Sequence, residues 1–177
     1  MKNYYIIYIL SFCFLSNISW GQNILEEKLI YRGNLAFHQE SDEPVTGIVI
    51  SKYETGETKE KGEYIDGLRE FEWKEFHQNG TVKSTINYKN GFKEGPFEIY
   101  FEDGKIKALG NYIKGLEDGN WQEFSNEGNF LYIGNYNQGN LNGRWQTFHL
   151  NGRLFSMGNF IEGKKEGLWE YFNEQGE

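Results

Sequence analysis

Residues 143–160 read GRWQTFHLNGRLFSMGNF, and two earlier stretches of the chain have the same skeleton. Residues 119–136 read GNWQEFSNEGNFLYIGNY, and residues 95–112 read GPFEIYFEDGKIKALGNY. The glycines and aromatic residues keep their places at an interval of 24 residues, whereas most residues between them change. Self-similarity at a fixed period indicates a repeat architecture, in which each unit packs against its neighbours.

The 24-residue register starts at Gly47, which we take as position 0, and runs without an insertion to Glu177. It defines five full units and a partial sixth, at 47–70, 71–94, 95–118, 119–142, 143–166 and 167–177. The predicted repeat core comprises aromatic residues at positions 2, 5 and 17 and the glycine at position 9: Trp73, Trp121, Trp145, Trp169, Phe76, Tyr100, Phe124, Phe148, Tyr88, Tyr112, Tyr136, Phe160, Gly80, Gly104, Gly128 and Gly152. Positions 2 and 5 have opposite parity along a strand, so the pattern requires either a bulge or aromatic side chains on both faces.

Two turn signals divide each unit. The pairs at positions 8 and 9 predict type I′ hairpin turns where they read Asn79-Gly80, Asp103-Gly104 and Asn151-Gly152, and a turn or a G1 bulge at Thr55-Gly56 and Glu127-Gly128. A second turn is predicted at Asp66-Gly67 and Asn90-Gly91. Strands of roughly positions 1–7 and 10–18 connected by such turns predict an all-β fold, an elongated antiparallel meander of stacked β-hairpins. Phe71 in place of glycine and Lys52 in place of an aromatic residue suggest irregular first units.

The unit G-x-W-x-x-F-x-x-x-G-x-L-x-x-x-G-N-Y-x-x-G resembles the variant form of the MORN repeat. Gly119-Asn120-Trp121 and Gly158-Asn159-Phe160 carry the match, which covers 47–177. The preceding segments, Leu29-Ile30-Tyr31-Arg32-Gly33 and Glu43-Pro44-Val45-Thr46-Gly47, look like the opening of bacterial MORN-variant proteins labelled antitoxin components of toxin–antitoxin systems. The resemblance implies an elongated sheet of stacked hairpins and an antitoxin-like role.

Residues 1–21 have the pattern of a signal peptide. Lys2 precedes an apolar run, and small residues near Gly21 fit signal-peptidase cleavage. The chain is therefore predicted to be exported to the periplasm or the medium, with 22–46 as an N-terminal cap segment before the repeats. Cys13 is the only cysteine and lies in the signal segment, so the mature chain has no thiol for a disulfide, a metal site or a nucleophile.

Composition and motifs argue against several classes of function. The formal net charge of −8 disfavours nucleic-acid binding and strong binding to an anionic membrane surface. His77 and His149 share position 6 but lie two units apart, so we expect polar surface histidines and no metal site. No catalytic motif is present, and no catalytic, cofactor-binding or metal-binding residue is predicted. The protein is predicted not to be an enzyme and to need no cofactor.

The predicted function is a non-enzymatic exported repeat scaffold that binds an unidentified protein partner. One alternative is an antitoxin-like component that neutralises a toxin by binding it. Another is a glycan- or lipid-binding surface module that uses exposed rings such as Trp121 and Trp145, although such regular aromatic residues usually form a core. A final strand around Trp169 to Asn173 would be an edge available for self-association, unless the chain is a fragment. The interaction residues stay unknown from the sequence, and the asparagines of position 16 are interpreted as a structural ladder or turn support: Asn87, Asn111, Asn135 and Asn159.

Overall fold

The computed structural model describes residues 23–177, and the predicted signal peptide lies outside the described residues. The described part consists of strands and one 3₁₀ turn, Glu26–Lys28. The strands are β1 (Ile24–Leu25), β2 (Leu29–Arg32), β3 (Leu35–His38), β4 (Gly47–Lys52), β5 (Thr58–Ile65), β6 (Leu68–Phe76), β7 (Val82–Lys89), β8 (Phe92–Tyr100), β9 (Ile106–Ile113), β10 (Leu116–Glu117), β11 (Gly119–Phe124), β12 (Phe130–Asn137), β13 (Asn140–Leu141), β14 (Gly143–Phe148), β15 (Leu154–Ile161) and β16 (Lys164–Tyr171).

From β4 onward, the strands follow one another across a single sheet in chain order. The sheet has 14 strands, and its main path runs β1-β4-β5-β6-β7-β8-β9-β11-β12-β14-β15-β16. The short strands β10 and β13 pair with β9 and β12, and β2 and β3 form a separate hairpin. All pairings are antiparallel except that of β1 with β4. The predicted all-β meander of stacked hairpins is confirmed.

A bulge in every full unit resolves the opposite parity of positions 2 and 5. The pairing register shifts where the outgoing strand reaches position 5, at Ser51/Lys52, Glu75/Phe76, Ile99/Tyr100, Glu123/Phe124 and Thr147/Phe148. The shift brings Phe124 opposite Phe130, and their ring centroids lie 4.7 Å apart. Unit 1 has the same bulge although its position 5 is Lys52, so the expectation of an irregular first unit is wrong for the backbone.

The first turn of the unit differs from the type I′ prediction. The His77 amide donates to the Thr81 carbonyl (2.8 Å), and the Gly80 amide donates to the His77 carbonyl (2.9 Å). Gly80 has φ +84°, but Asn79 does not have a positive φ. This geometry is a type I turn followed by a G1 bulge. The same holds for Asp103-Gly104 and Asn151-Gly152, so the type I′ prediction is wrong at these three pairs. The Asn79 side chain instead accepts the Thr81 amide (3.0 Å), which favours the observed turn.

The second turn is type I′, with positive φ at both central residues in all five units. The pairs are Asp66-Gly67, Asn90-Gly91, Lys114-Gly115, Gln138-Gly139 and Glu162-Gly163. Each glycine amide donates to a carbonyl of the preceding unit or cap segment: Gly67 to Val45, Gly91 to Arg69, Gly115 to Lys93, Gly139 to Glu117 and Gly163 to Leu141, at 2.8 to 3.0 Å. These bonds stack the turns on one another, which explains how a lysine, glutamine or glutamate can be held in the left-handed region.

The size of the residue at position 15 determines which aromatic ring of the next unit can pack on it. A Cβ added at Gly62, Gly110, Gly134 or Gly158 would overlap the indole ring at position 2 of the following unit, which is Trp73, Trp121, Trp145 and Trp169 respectively. Position 15 of unit 2 is Ile86, and there the covering ring is the smaller Phe97, which packs with Ile86 in one cluster. The chain therefore uses two pairings at this contact, glycine with tryptophan and isoleucine with phenylalanine.

The segment before the repeats covers one end of this core. Leu29, Ala36 and Val45 are buried in one cluster with Tyr64 and Trp73. The Ala36 amide donates to the Gly67 carbonyl (2.8 Å), so the β2–β3 hairpin is bonded directly to the first type I′ turn.

We expect Gly110→Ala to lower the free energy of unfolding by about 1–3 kcal/mol, because the added methyl group overlaps Trp121 and overpacks the core. The double variant Gly110→Ile/Trp121→Phe copies the Ile86–Phe97 pair and should be more stable than Gly110→Ile alone. Urea unfolding of the single and double variants completes a double-mutant cycle. Additive effects would contradict the packing of this ring on glycine.

Candidate interaction surfaces

The aromatic residues of positions 2 and 17 form one continuous series along a face of the sheet, here called the ring row. Ring centroids lie 5.3 Å apart in Tyr112–Trp121, 5.6 Å in Trp121–Tyr136 and 5.9 Å in Trp145–Phe160. Trp73 and Trp121 are only 3% and 7% exposed. Trp145 and Trp169 are half-buried, as are Tyr88, Tyr136 and Phe160. The tryptophans thus lie inside the ring row, which leaves little free ring surface for a ligand.

The remaining residues of the predicted repeat core lie outside the ring row. The position-5 rings of Phe76, Tyr100, Phe124 and Phe148 are half-buried. Phe124 and Phe148 both contact Phe130, with centroids 4.7 and 5.8 Å apart. The position-9 glycines Gly80, Gly104, Gly128 and Gly152 are exposed in the first turns, and each has a positive φ. Their structural contribution is conformational, because only glycine adopts this backbone without strain.

Cations at position 22 cover parts of the ring row, and the sequence analysis missed them. The Arg69 guanidinium lies 3.9 Å from the Trp73 ring centroid, and Lys165 Nζ lies 4.1 Å from that of Trp169. Arg69 also makes a bidentate ion pair with Glu60, at 2.9 and 3.0 Å. Burial alone would lower the pKa of Arg69, but the Glu60 carboxylate and the Tyr64 hydroxyl act together in the opposite direction, and the pKa is raised. The signal available in the sequence was a basic residue at position 22 in three of the five full units, together with the aromatic columns: Arg69, Lys93 and Lys165.

The histidines of position 6 connect neighbouring units. His77 Nε2 lies 3.1 Å from the Tyr100 carbonyl, and His149 Nε2 lies 2.9 Å from the Phe172 carbonyl. The Tyr53 hydroxyl makes the equivalent bond to the Phe76 carbonyl (2.6 Å). Both histidines are half-buried. The sequence predicts polar surface histidines, and the structure adds that His77 and His149 are each bonded to the next unit, because the first turns stack closely enough for a side chain to reach it.

A line of apolar side chains follows the stacked type I′ turns, and we call it the turn ridge. It consists of Leu35, Ile65, Leu68, Phe92, Ile113 and Leu116. Its members at position 21 each pack against the turn glycine of the next unit, as Phe92 does against Gly115 and Leu116 against Gly139. Ile65 and Ile113 lie directly opposite Leu68 and Leu116 in the strand pairing. With two strand spacings per unit, the ridge is about 30 Å long.

The turn ridge is most exposed at Phe92 and Leu116. Phe92 is 55% exposed and Leu116 is 48% exposed. Beside Phe92 is a shallow cavity of about 350 Å³, lined also by Lys89, Asn90, Glu94 and Lys114. In the next unit the corresponding residues are Asn137 and Asn140, so the ridge ends in polar side chains. An exposed apolar line of this length, bordered by polar groups, is typical of an interaction site.

Phe71 has a backbone conformation that the other units reserve for glycine. Its φ is +58°, and the glycines at position 0 have φ between +68° and +138°. For a residue with a side chain, this region costs roughly 1–2 kcal/mol. The side chain is nevertheless 56% exposed, so core packing does not explain why a phenylalanine occupies the position.

Comparison with known proteins finds a match for two of the units. The MORN repeat variant family matches residues 69–90 and 93–114. These two segments are MORN-type repeats. Each match covers one hairpin, β6–β7 or β8–β9, and the ring row and the stacked turns continue through the units on either side. A comparison with curated proteins gives no match.

Among solved structures, the chain is similar to one titled "Crystal structure of GtfA/B complex bound to UDP and GlcNAc". The sequences are 10% identical, and the TM-score is 0.25. The match covers 75% of this chain but only 23% of that one, so the chain spans less than a quarter of its length. A likeness at this TM-score does not establish a shared fold.

Residues 23–177 contain no helix that is long and apolar enough to cross a membrane. Within the same range, no three histidine, cysteine, aspartate or glutamate side chains are grouped as metal ligands would be.

Two substitutions at position 71 separate backbone strain from side-chain contacts. Phe71→Gly and Phe71→Ala both remove the ring, but only glycine adopts φ +58° without strain. We expect Phe71→Gly to be more stable than Phe71→Ala by about 1 kcal/mol in urea unfolding. At Glu72, whose φ is not positive, alanine should instead be the more stable replacement. If glycine were the more stable replacement at both positions, or alanine at both, the result would contradict a strained backbone at Phe71.

Tyr132 makes stability sensitive to alkaline pH. Its ring stacks on Trp145 with centroids 5.0 Å apart, and burial, together with the Glu123 carboxylate, raises the pKa of Tyr132 to about 12 from 10.0. Because the folded state favours the neutral Tyr132 hydroxyl, the stability that this preference contributes is fully present below pH 10 and is lost as pH rises toward 12. The urea concentration at the unfolding midpoint should therefore decrease when the pH is raised from about 8 to about 11, and Tyr132→Phe should make that decrease smaller. An unchanged pH dependence in the variant would contradict this role.

Proposed function

We propose that this protein is a non-enzymatic, exported scaffold that binds a protein partner along the turn ridge. The observation that carries the proposal is the exposed apolar line of about 30 Å on a single sheet. MORN repeats commonly act as protein- or membrane-interaction modules, which fits a repeat scaffold. Stacked repeats also fix the spacing of exposed side chains, so that a partner can bind several units at once.

The chemistry of the turn ridge favours a partner with an apolar strip or groove. Phe92 offers a large ring next to a cavity, and such aromatic anchors commonly dominate binding energy at interfaces. Lys89, Glu94 and Lys114 surround the ring with both signs of charge, as a polar rim does. A membrane surface fits less well, because the chain has a net charge of −8 and anionic lipid repels it.

Export rests on residues 1–21, whose basic start, apolar run and small residues near Gly21 fit a cleaved signal peptide. An antitoxin-like role is a second form of the same proposal, in which the bound partner is a toxin. The two forms differ in compartment. A cleaved mature chain in the envelope or the medium supports an exported scaffold, whereas an uncleaved chain in the cytoplasm supports the antitoxin-like role.

We expect Phe92→Asn/Leu116→Asn to abolish partner capture, because asparagine is the residue that ends the ridge at Asn140. The measurement is chemical crosslinking of the tagged mature protein, followed by quantitative mass spectrometry of the captured proteins. Leu150→Asn is the matched control, since Leu150 is also exposed but lies at the tip of a first turn. The proposal requires a protein that is captured by the wild type and the control and lost from the ridge variant. Equal capture by all three would contradict it.

A further inference from the structure

The exposed ring of Phe71 lies on the face of the sheet opposite the ring row. It lines a cavity of about 310 Å³ together with Ile48, Lys61, Glu63, Glu72 and Lys74. Along their strands, Ile48 and Glu72 alternate with the buried Val49 and Trp73, so Ile48 and Glu72 lie on the face away from the ring row. Phe71 is two residues before Trp73, but its φ of +58° departs from the extended conformation, and its ring lines the same cavity as Ile48 and Glu72. The cavity therefore opens away from the ring row.

The cavity combines one flat apolar surface with balanced charges. Phe71 and Ile48, which are 56% and 41% exposed, supply the apolar part. Lys61 and Lys74 lie opposite each other in the strand pairing, and Lys74 Nζ is 2.9 Å from the Glu72 carboxylate. The side chains around the ring thus include two cations and two anions, with a formal charge of zero in a chain whose net charge is −8.

We propose that this cavity binds a neutral glycan, with a sugar ring stacked on Phe71. The apolar C–H face of a sugar ring fits the flat face of an aromatic ring. Its hydroxyl groups both donate and accept hydrogen bonds, so they match the lysine donors and the carboxylate acceptors around the ring. A charged ligand would instead meet two groups of its own sign, which the balanced set disfavours.

Backbone strain supports a role in binding at Phe71. Glycine occupies the same position in the other five units and keeps the fold there. A phenylalanine at φ +58° with most of its surface exposed loses stability without gaining a place in the core. Residues held in unfavourable backbone regions cluster at ligand sites, and a ring presented on an open face is the feature that this substitution adds.

Amide side chains continue the site along the same face. Asn87 pairs directly with Glu72 at the cavity, and the following units add Asn111 opposite Pro96, Asn135 opposite Asn120 and Asn159 opposite Arg144. These positions repeat at about 10 Å, which is two strand spacings. After Glu72, none of these paired positions in the later units carries a carboxylate. Among residues 23–177, the side chains of Asn135 and Asn159 make no hydrogen bond. A linear glycan lying along this row can therefore bond amides of several units.

Calorimetric titration of the mature protein with cellohexaose, chitohexaose, maltohexaose and mannohexaose tests the proposal. We expect at least one of these neutral hexasaccharides to bind, and the corresponding disaccharide to bind more weakly. Phe71→Gly should weaken the binding at least about tenfold, because it removes the stacked ring and keeps the backbone. Phe71→Tyr, which keeps an aromatic face, should bind nearly as well as the wild type.

Two controls separate this site from the turn ridge. Phe92→Asn/Leu116→Asn should bind the glycan like the wild type, whatever its effect on partner capture. Hexagalacturonate, which is anionic, should bind no tighter than the neutral chains. The proposal is overturned if none of the neutral hexasaccharides binds, if only the anionic chain binds, or if Phe71→Gly binds as tightly as the wild type. Loss of protein capture in Phe71→Gly without any glycan binding would instead assign the cavity to the protein interface.

Discussion

The packing of a position-2 ring on the position-15 residue of the preceding unit is the interaction on which the rest of the structure depends. A single sheet has no second layer to bury its aromatic side chains, so each unit must supply the cover for its neighbour. Gly110 shows why the spacing of 24 residues cannot drift. Its missing side chain is the space that Trp121 occupies, and a register shift of one residue would place Leu109 or Asn111 under the indole.

The two turns of each unit fix that register at the two ends of the strands. On one side, the type I′ glycines bond to carbonyls of the preceding unit, as Gly91 does to Arg69. On the other side, position-6 side chains such as His77 and His149 reach carbonyls of the next unit. The segment before the repeats supplies corresponding contacts to the first unit, because the Gly67 amide donates to the Val45 carbonyl, the Ala36 amide donates to the Gly67 carbonyl, and Val45 is buried in the cluster of Trp73. The stack is therefore supported at its core and at both rims.

The sequence was sufficient for the fold class because the columns of glycine and aromatic residues repeat without an insertion. It was not sufficient for the type of the first turn. Asn79-Gly80 fits two turns, and the choice depends on which residues pair across it, which a bulge at Phe76 decides. The position-22 cations were missed for a related reason. Arg69 looks like an ordinary surface residue in the sequence, and only the stacking of units places it over Trp73.

These structural constraints also determine where function can reside. Positions 0, 2, 9, 15, 17 and 20 are tied to turns or to the ring row, whereas the opposite face and the outer sides of the type I′ turns are free to vary. Along the chain these free surfaces change character: the first units carry Phe71 and the apolar ridge, and the later ones carry Asn137, Asn140 and the amide row. Stacked units with one backbone pattern therefore present a series of different surfaces along the chain. The departures from the repeat are more informative about binding than the repeat itself, and Phe71, which departs at the cost of backbone strain, is the clearest of them.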